Sequence, residues 1–246
     1  MLRLLSEIEI KAVMKKTLLL VLATIASAIT TIAQAQGTYS EPRNVTGFDE
    51  VAFALSGEVY ISFGQEYKVV LEGNKEYLAK VETKVTGGTL VIKSEKWFNT
   101  SNEKVIARIT MPLLKGLDLS GSGKVFISDM LKTPSLEVDI SGSGKVYAKE
   151  VEINKFECGI SGSGSLEFSG SGKIDDAELS VSGSGNLAAP TTKVARFEVN
   201  ISGSGRCDCY VTEKLEGSIS GSGNITYAGN PKIDASISGS GHIRAK

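Results

Sequence analysis

From residue 116 onward, apolar and polar residues alternate in short runs on both sides of the tetrapeptide Ser-Gly-Ser-Gly. Seven copies share one phase, at intervals of 18 to 21 residues, and begin at Ser120, Ser141, Ser161, Ser182, Ser202, Ser220 and Ser238. An eighth copy, beginning at Ser169, is out of phase. Repetition at this period indicates a stack of similar structural units rather than a flexible Gly/Ser linker.

The residues around each copy follow the period of two that is typical of β-strands. Positions one and three before the first serine, and five and seven after it, are apolar or small. Around Ser161 these are Ile160, Cys158, Leu166 and Phe168. A strand, a glycine-rich corner and a second strand every ~20 residues describe one coil of a solenoid. We therefore predict an all-β fold, a parallel, right-handed β-helix whose equivalent strands pair ~4.8 Å apart.

The part before residue 116 lacks the tetrapeptide but still predicts strands, at Val51–Ser56, Glu58–Phe63, Tyr67–Leu71, Thr89–Lys93 and Val105–Thr110. Ser56-Gly57 resembles a degenerate corner followed by a strand. Residues 36–115 therefore form either irregular coils or a β cap, because an uncovered sheet edge invites aggregation. We expect residues 116–246 to form the regular solenoid and residues 36–246 to be one continuous domain.

Residues 1–35 have the layout of a secretory signal peptide. The basic stretch Met14-Lys15-Lys16 precedes the apolar run Leu18–Ile29, and Ala33-Gln34-Ala35 suits cleavage. The apolar run is shorter than the ~20 residues of a spanning helix, which favours cleavage over a retained membrane anchor.

Translation is expected to start at Met14, because the acidic residues Glu7 and Glu9 suit a basic signal-peptide start poorly. The mature protein then begins near Gln36. We expect an exported protein, periplasmic, on the outer surface or secreted, with no retained membrane span.

The composition argues against several function classes. With 27 Lys and Arg against 28 Asp and Glu, the chain lacks the basic excess that binding to nucleic-acid phosphates needs. The corners precede strands, whereas phosphate-binding loops precede a helix. The only histidine, His242, gives little basis for a Ser-His-Asp triad. We expect no enzyme, cofactor or metal site; the binding residues and the oligomeric state stay unknown.

A row of carboxylates lies four residues before successive corners, at Glu137, Glu157, Glu178, Glu198, Glu216 and Asp234. Stacked ~4.8 Å apart, neighbours would repel by ~0.9 kcal/mol at a dielectric constant of ~80 and by ~3.5 kcal/mol at ~20. Basic residues six positions before some corners, including Lys155, Arg196 and Lys214, favour diagonal ion pairs with this row. A strip that binds a divalent cation or a basic ligand is the alternative.

The cysteines and a Trp-Phe pair offer further candidate chemistry. Cys158, Cys207 and Cys209 fall in the predicted inward columns, which favours core filling. Cys207 and Cys209, ~6.6 Å apart on one strand, lie at the limit of disulfide geometry, and a soft metal is another possible role. Trp97 and Phe98 could stack on a sugar or anchor a partner, although packing of a loop onto the core is the commoner role.

Three stretches resemble the head GIN domain family of putative autotransporter adhesins. They are the repeated (Ile/Val)-Ser-Gly-Ser-Gly, the stretch Arg-Asn-Val-Thr-Gly-Phe-Asp-Glu-Val at 43–51, and Met-Pro-Leu-Leu-Lys-Gly-Leu-Asp-Leu-Ser-Gly-Ser-Gly at 111–123. The resemblance covers roughly residues 43–240. It implies a secreted bacterial β-helix of a kind common in Bacteroidetes, and it defines no catalytic or binding residues.

Together these features predict a non-enzymatic, secreted or cell-surface, adhesin-like solenoid that offers a rigid surface to a surface protein or a glycan. Two alternatives stay open. A polysaccharide-acting β-helix enzyme would need clustered carboxylates and long loops beside a groove. A structural or stress component of the bacterial envelope would need no external ligand.

Overall fold

The computed structural model describes residues 39–94 and 104–246, so the predicted signal peptide and the pair Trp97 and Phe98 lie outside the described residues. Within those ranges the chain is β-structured apart from one four-residue helix, and no helix there could cross a bilayer. The elements are β1 (Tyr39–Arg43), β2 (Glu50–Ala54), β3 (Gly57–Phe63), β4 (Lys68–Gly73), α1 (Lys75–Leu78), β5 (Val81–Thr86), β6 (Thr89–Ser94), β7 (Val105–Met111), β8 (Gly116–Gly121), β9 (Lys124–Ile127), β10 (Leu131–Gly142), β11 (Lys145–Ala148), β12 (Val151–Gly162), β13 (Ser165–Phe168), β14 (Gly172–Gly183), β15 (Asn186–Gly203), β16 (Arg206–Gly221), β17 (Asn224–Ala228), β18 (Lys232–Gly239) and β19 (His242–Ala245).

From β8 onward the chain forms the predicted parallel β-solenoid. Each coil has a leading segment before the tetrapeptide and a trailing segment after it. The leading strand β12 pairs in parallel with β10 and β14, and the trailing strand β13 pairs with β11 and β15. This register places Cys158 between Val138 and Leu179, as the predicted columns require. The inward side chains of successive coils form one apolar core cluster.

The coils from β10 to β16 also contain a third strand segment that the sequence pattern did not reveal. In β10, β12 and β14 this return segment is the first part of the strand, such as Leu131–Thr133 in β10, which pairs with the same part of β12. In β15 and β16 it is the middle part of the strand. The in–out alternation breaks at Pro134 and Ser135, which are both exposed, and resumes at the buried Leu136. With only two inward positions per coil, the segment is too short to show a period of two.

The two glycines of the tetrapeptide serve different steric purposes. Gly203, the first, has a φ of 121°, and a Cβ there would lie 2.4 Å from the carbonyl oxygen of Gly183 in the preceding coil. Gly205, the second, leaves room for the inward side chain of Val181, whose Cγ1 would lie 2.7 Å from a Cβ. The first glycine allows backbones to stack closely, and the second accommodates the core of the neighbouring coil.

The out-of-phase tetrapeptide lies in a different turn of its coil. It follows β13 and leads into the return segment of β14. A Cβ on Gly170 would lie 2.3 Å from the carbonyl oxygen of Lys149, and one on Gly172 would lie 2.6 Å from that of Val151. Glycine therefore permits close backbone stacking here too.

The N-terminal strands continue the same stack, but not in chain order. β2 pairs in parallel with β8 on one side and β6 on the other, while β3 pairs with β9 and β7. The coil built from β2 and β3 therefore lies between the β6–β7 layer and the first regular coil. Ser56-Gly57 is its corner, as predicted, and the Ser56 Oγ lies 3.3 Å from the Oγ of Ser122 in the next coil.

Antiparallel strands complete this N-terminal part, in which they occur beside the parallel coil strands. β4 pairs antiparallel with β7, and β5 pairs antiparallel with β6. The sequence prediction located β2, β3, β4, β6 and β7 but missed β1, β5 and α1. Of the six residues of β5, only Val81 is buried, which explains why its apolar pattern is weak.

Candidate binding surface

Parallel, in-register pairing stacks like positions on the outside of the coils as well as in the core. The outer face therefore carries rows of side chains that run from coil to coil. Three rows have distinct chemistry. They are the acid row (Glu137, Glu157, Glu178, Glu198, Glu216 and Asp234), the corner serines and an aromatic row (Tyr60, Phe126 and Tyr147).

The acid row has the predicted register, but its ion pairs differ from the predicted diagonal ones. Lys155 pairs with Glu157, and Lys214 with Glu216, in each case two residues apart on one strand. Arg196 instead donates two hydrogen bonds, of 2.5 and 2.6 Å, to Asp176, which lies outside the acid row and directly opposite Arg196 in the register. The diagonal pairs do not form because outward side chains are closer to two other neighbours. These are the residue two positions away on the same strand and the residue directly opposite on the next strand.

The electrostatics of this row are those of an exposed, partly paired surface. The hydrogen bonds from Arg196 lower the pKa of Asp176, and the hydrogen bond to Glu157 raises the pKa of Lys155. Because these pairs are exposed, solvent and salt screen them and each adds little to stability. Within the described ranges, no three His, Cys, Asp or Glu side chains cluster closely enough to hold a metal ion. The observed pairs of Glu157 and Glu216 support the ion-pairing role that the sequence favoured.

At the corners, two stacked aspartates adjoin the serines. Asp139 pairs with Asp118 in the register, and burial, together with the charge of Asp118, raises its pKa. Ser120 Oγ donates a 3.0 Å hydrogen bond to Asp118. The next residue in this column is Gly159, where a Cβ would lie 2.4 Å from Asp139 Oδ1. The Asp139 carboxylate therefore leans over the space that a side chain would fill.

The aromatic row is a surface feature that sequence reasoning missed. The Phe126 ring stacks between Tyr60 and Tyr147, with centroid distances of 5.1 and 5.3 Å and interplanar angles of 18° and 9°. The Arg108 guanidinium lies 5.0 Å from the Tyr60 centroid, on the neighbouring strand β7. Phe126 and Tyr147 both lie six residues after the first serine of their copies, so this spacing was the available signal.

Hydrogen bonds hold the end of the aromatic row in place. The Tyr60 hydroxyl donates a 2.7 Å bond to Glu58, and this bond, followed by burial, raises the pKa of Tyr60. Arg108 Nε donates a 2.9 Å bond to Glu72 Oε1, which fixes the guanidinium beside the ring. Stacking, cation–π contact and ion pairing thus order these side chains in advance of any ligand.

The cysteines fill the core, as the sequence favoured. Cys158, Cys207 and Cys209 are buried and free. The pKa of the Cys207 thiol is raised, first by its hydrogen bond with Cys209 and then by burial, and burial also raises the pKa of Cys158. His242 lies at the exposed start of β19, opposite Asn224.

Comparison with known proteins identifies the family and the fold. Residues 47–231 match the family described as putative auto-transporter adhesin, head GIN domain. The chain is similar to the crystal structure of a putative adhesin from Bacteroides fragilis, with 24% identity and a TM-score of 0.76, covering 86% of this chain and 98% of that one. No curated protein matches the chain.

Two structures from Parabacteroides are also similar. One is a putative lipid binding protein from Parabacteroides distasonis, with 25% identity and a TM-score of 0.67, covering 86% of this chain and 98% of that one. The other is a putative adhesin from Parabacteroides merdae, with 18% identity and a TM-score of 0.68, covering 86% of this chain and 97% of that one. These likenesses support the solenoid fold.

Proposed function

Because the chain belongs to the head GIN domain family of putative autotransporter adhesins, we propose that it is an exported, adhesin-like protein that binds a partner without chemical turnover. The observation that carries the proposal is the in-register stacking of outward side chains. One backbone register aligns both the core columns and the outer rows, so the packing energy of the core also fixes the positions of surface groups.

This order lowers the cost of binding. A surface side chain that is immobilised by a partner typically loses ~0.5–1.5 kcal/mol of conformational free energy. In the aromatic row, ring stacking and the Arg108 contact already restrict Tyr60 and Phe126 in the free protein. A rigid outer face therefore favours an adhesin-like role over that of an envelope component with no external ligand.

The proposed location rests on the signal-peptide pattern of residues 1–35. Cleavage near Gln36 would leave residues 36–246 as one mature, exported domain. N-terminal sequencing of the protein from its native cells tests the cleavage, with a new terminus near Gln36 expected. Protease treatment of intact cells then distinguishes an outer-surface protein from a periplasmic one. A protein that keeps its first residues and stays in the cytoplasm would contradict the proposal.

Binding and turnover are tested together on an array of glycans and extracellular-matrix proteins. The mature protein is applied over a concentration series, and every polysaccharide that retains it is then analysed for shortened or unsaturated products. We expect saturable retention and unchanged polysaccharide. Product formation would favour the β-helix enzyme, and absence of retention on all surfaces would favour an envelope component with no external ligand.

A further inference from the structure

We infer that the ligand of this protein is a neutral saccharide, held in a groove on the outer face of strands β3, β4, β7 and β9. The inference rests on the proposed function and adds to it a site and a ligand class. The groove has a volume of about 550 Å³, within the range of ~300–1,000 Å³ typical of small-molecule sites.

The groove follows from a difference in side-chain size along two neighbouring strands. On β3 the large Tyr60 is followed two residues later by Ser62, and on β7 Arg108 is followed by Thr110. The two small side chains lie side by side, with their hydroxyl oxygens 3.1 Å apart. They form a hydroxyl-lined depression beside the taller aromatic row, and Asp129 completes the lining.

The two central strands of the groove, β3 and β7, have backbone partners on both sides, so recognition at these strands has to use side chains. β7 pairs with β3 on one side and with β4 on the other, and β3 pairs with β7 and β9. An extended peptide usually adds to a sheet through unpaired backbone groups of an edge strand. No such groups are offered by these two inner strands, which disfavours a peptide bound by strand addition.

The charges that line the groove balance. Two cations, Lys68 and Arg108, stand against two carboxylates, Glu72 and Asp129. Asp129 Oδ2 accepts a 3.0 Å hydrogen bond from the backbone N–H of Phe63, which orients this carboxylate. A charged ligand would meet as much repulsion as attraction. A neutral ligand with many hydroxyl groups can donate to the carboxylates and accept from the two cations.

The aromatic side chains supply the remaining part of a saccharide site. Tyr60 and Phe126 also line the groove and are partly exposed there. A sugar ring carries apolar C–H patches between its hydroxyl groups, and these patches can pack against partly exposed aromatic carbon. A purely apolar ligand, such as a lipid tail, would instead strip water from the charged and hydroxyl groups without replacing their hydrogen bonds.

The test is titration calorimetry of the full mature protein with defined trisaccharides. The neutral probes come from the β-glucan, mannan, xylan and lactose series, so that the source of the saccharide is distinguished. Sialylated and uronic-acid trisaccharides form the charged arm. Arg108→Gln and Asp129→Asn alter the groove, and Lys132→Gln is the control because it breaks an exposed ion pair with Glu152 on the return segments. Circular dichroism checks the fold of every variant.

We expect at least one neutral trisaccharide to bind, with affinity about tenfold weaker in each groove variant and unchanged in the control. Equal binding by all variants would overturn the groove assignment. Binding of only charged trisaccharides, or of no trisaccharide while a matrix protein is retained on the array, would overturn the ligand class and leave the proposed function standing. No retention of any kind would overturn both.

Discussion

The regular coils and the N-terminal part share one core but differ in how the chain reaches it. From β8 onward, each coil follows the previous one in sequence, and a Ser-Gly-Ser-Gly corner recurs in each. In the N-terminal part, β2 and β3 lie between β8–β9 and the later strands β6 and β7, and β4 and β5 run antiparallel. In the regular coils the repeated glycines let similar corners stack closely, whereas the N-terminal corner keeps one such glycine, Gly57, where a Cβ would lie 2.0 Å from the Val105 carbonyl oxygen. The inward apolar columns occur in both regions.

The first regular corner, at Gly121, differs from the later ones in how closely its neighbour approaches. Gly121 has a φ of 104°, yet a Cβ there would meet no atom within 4 Å. Gly203 has a φ of 121°, and a Cβ there would lie 2.4 Å from the Gly183 carbonyl oxygen. The difference arises because Gly203 stacks on another glycine corner, whereas Gly121 lies beside the N-terminal corner that contains Leu55.

The largest expected effect tests whether the two regions form one core. Leu90 of β6 is 0% exposed and Ile201 of β15 is 2% exposed, so Leu90→Ala and Ile201→Ala should each lower the free energy of unfolding by ~2–5 kcal/mol. Ile237, which occupies the Ile201 position in β18, is 44% exposed and serves as the control, with a loss under ~1 kcal/mol. Urea denaturation measures all three. If Leu90→Ala left the free energy of unfolding almost unchanged, the N-terminal part would not belong to the same core as the regular coils.

The next largest effect is the difference in stability loss between alanine substitutions at Gly203, which stacks on another glycine corner, and at Gly121, which does not. Gly203→Ala should cost ~1–3 kcal/mol for the positive φ and a further ~1–3 kcal/mol for the close approach to the Gly183 carbonyl oxygen. Gly121→Ala should cost only the first part, because its Cβ would have open space. Thermal unfolding of the two variants gives the difference. Equal losses would show that close stacking does not explain the repeated glycine.

A smaller effect contrasts two carboxylates of the regular coils by pH. The pKa of Asp139 is raised, so its contribution to stability is present below the unfolded pKa of ~4 and is lost as pH rises through the folded pKa. The pKa of Asp176 is lowered, so its contribution is present above the unfolded pKa and is lost as pH falls through the folded pKa.

At pH 7, therefore, Asp139→Asn should raise the unfolding temperature and Asp176→Asn should lower it. Both differences should shrink on acidification, since the wild-type carboxyls then become neutral as well. Melting curves between pH 3 and pH 7, within the range of carboxyl titration, give the comparison. Shifts of the same sign at pH 7 would refute the assigned environments.

The smallest expected effect concerns like charges stacked in the acid row. Glu178 lies between Glu157 and Glu198 in the register, so Glu178→Gln should stabilise the fold by less than ~1 kcal/mol at low salt. The gain should fade in ~1 M salt, where charges are screened beyond ~3 Å. Glu152→Gln is the matched control, and it should be slightly destabilising because it removes an ion pair with Lys132. If the increase in stability of Glu178→Gln did not depend on salt, repulsion between stacked carboxylates would not be its cause.

The sequence predicted the features whose repeated pattern is strong and missed those whose local pattern is weak or that depend on long-range pairing. The columns around each tetrapeptide were visible because seven copies reinforce one another. The return segment escaped notice because it offers only two inward positions, such as Leu131 and Thr133, and one of these is polar. In the N-terminal part the spatial order of the coils differs from their order in the chain. This order depends on long-range strand pairing, which the local alternation of apolar and polar residues does not encode.

The acid row and the aromatic row show the same contrast at the surface. Six carboxylates in one column were evident from the sequence, although the pairing of two of them with Lys155 and Lys214 on their own strands needed the structure. The aromatic row spans Tyr60, Phe126 and Tyr147, and one of its members belongs to a coil without the tetrapeptide. Only the structure aligns that coil with the regular ones, and so only the structure reveals the groove beside it.

Adhesion of intact cells tests the central claim most directly. Cells that produce the protein, cells from which it is deleted and cells in which it is restored are compared on the glycan and matrix-protein surfaces that retain the purified mature protein. We expect deletion to reduce adhesion, restoration to recover it and excess soluble protein to block it. Adhesion that is identical in all three cell lines and insensitive to the soluble protein would contradict an adhesin-like role.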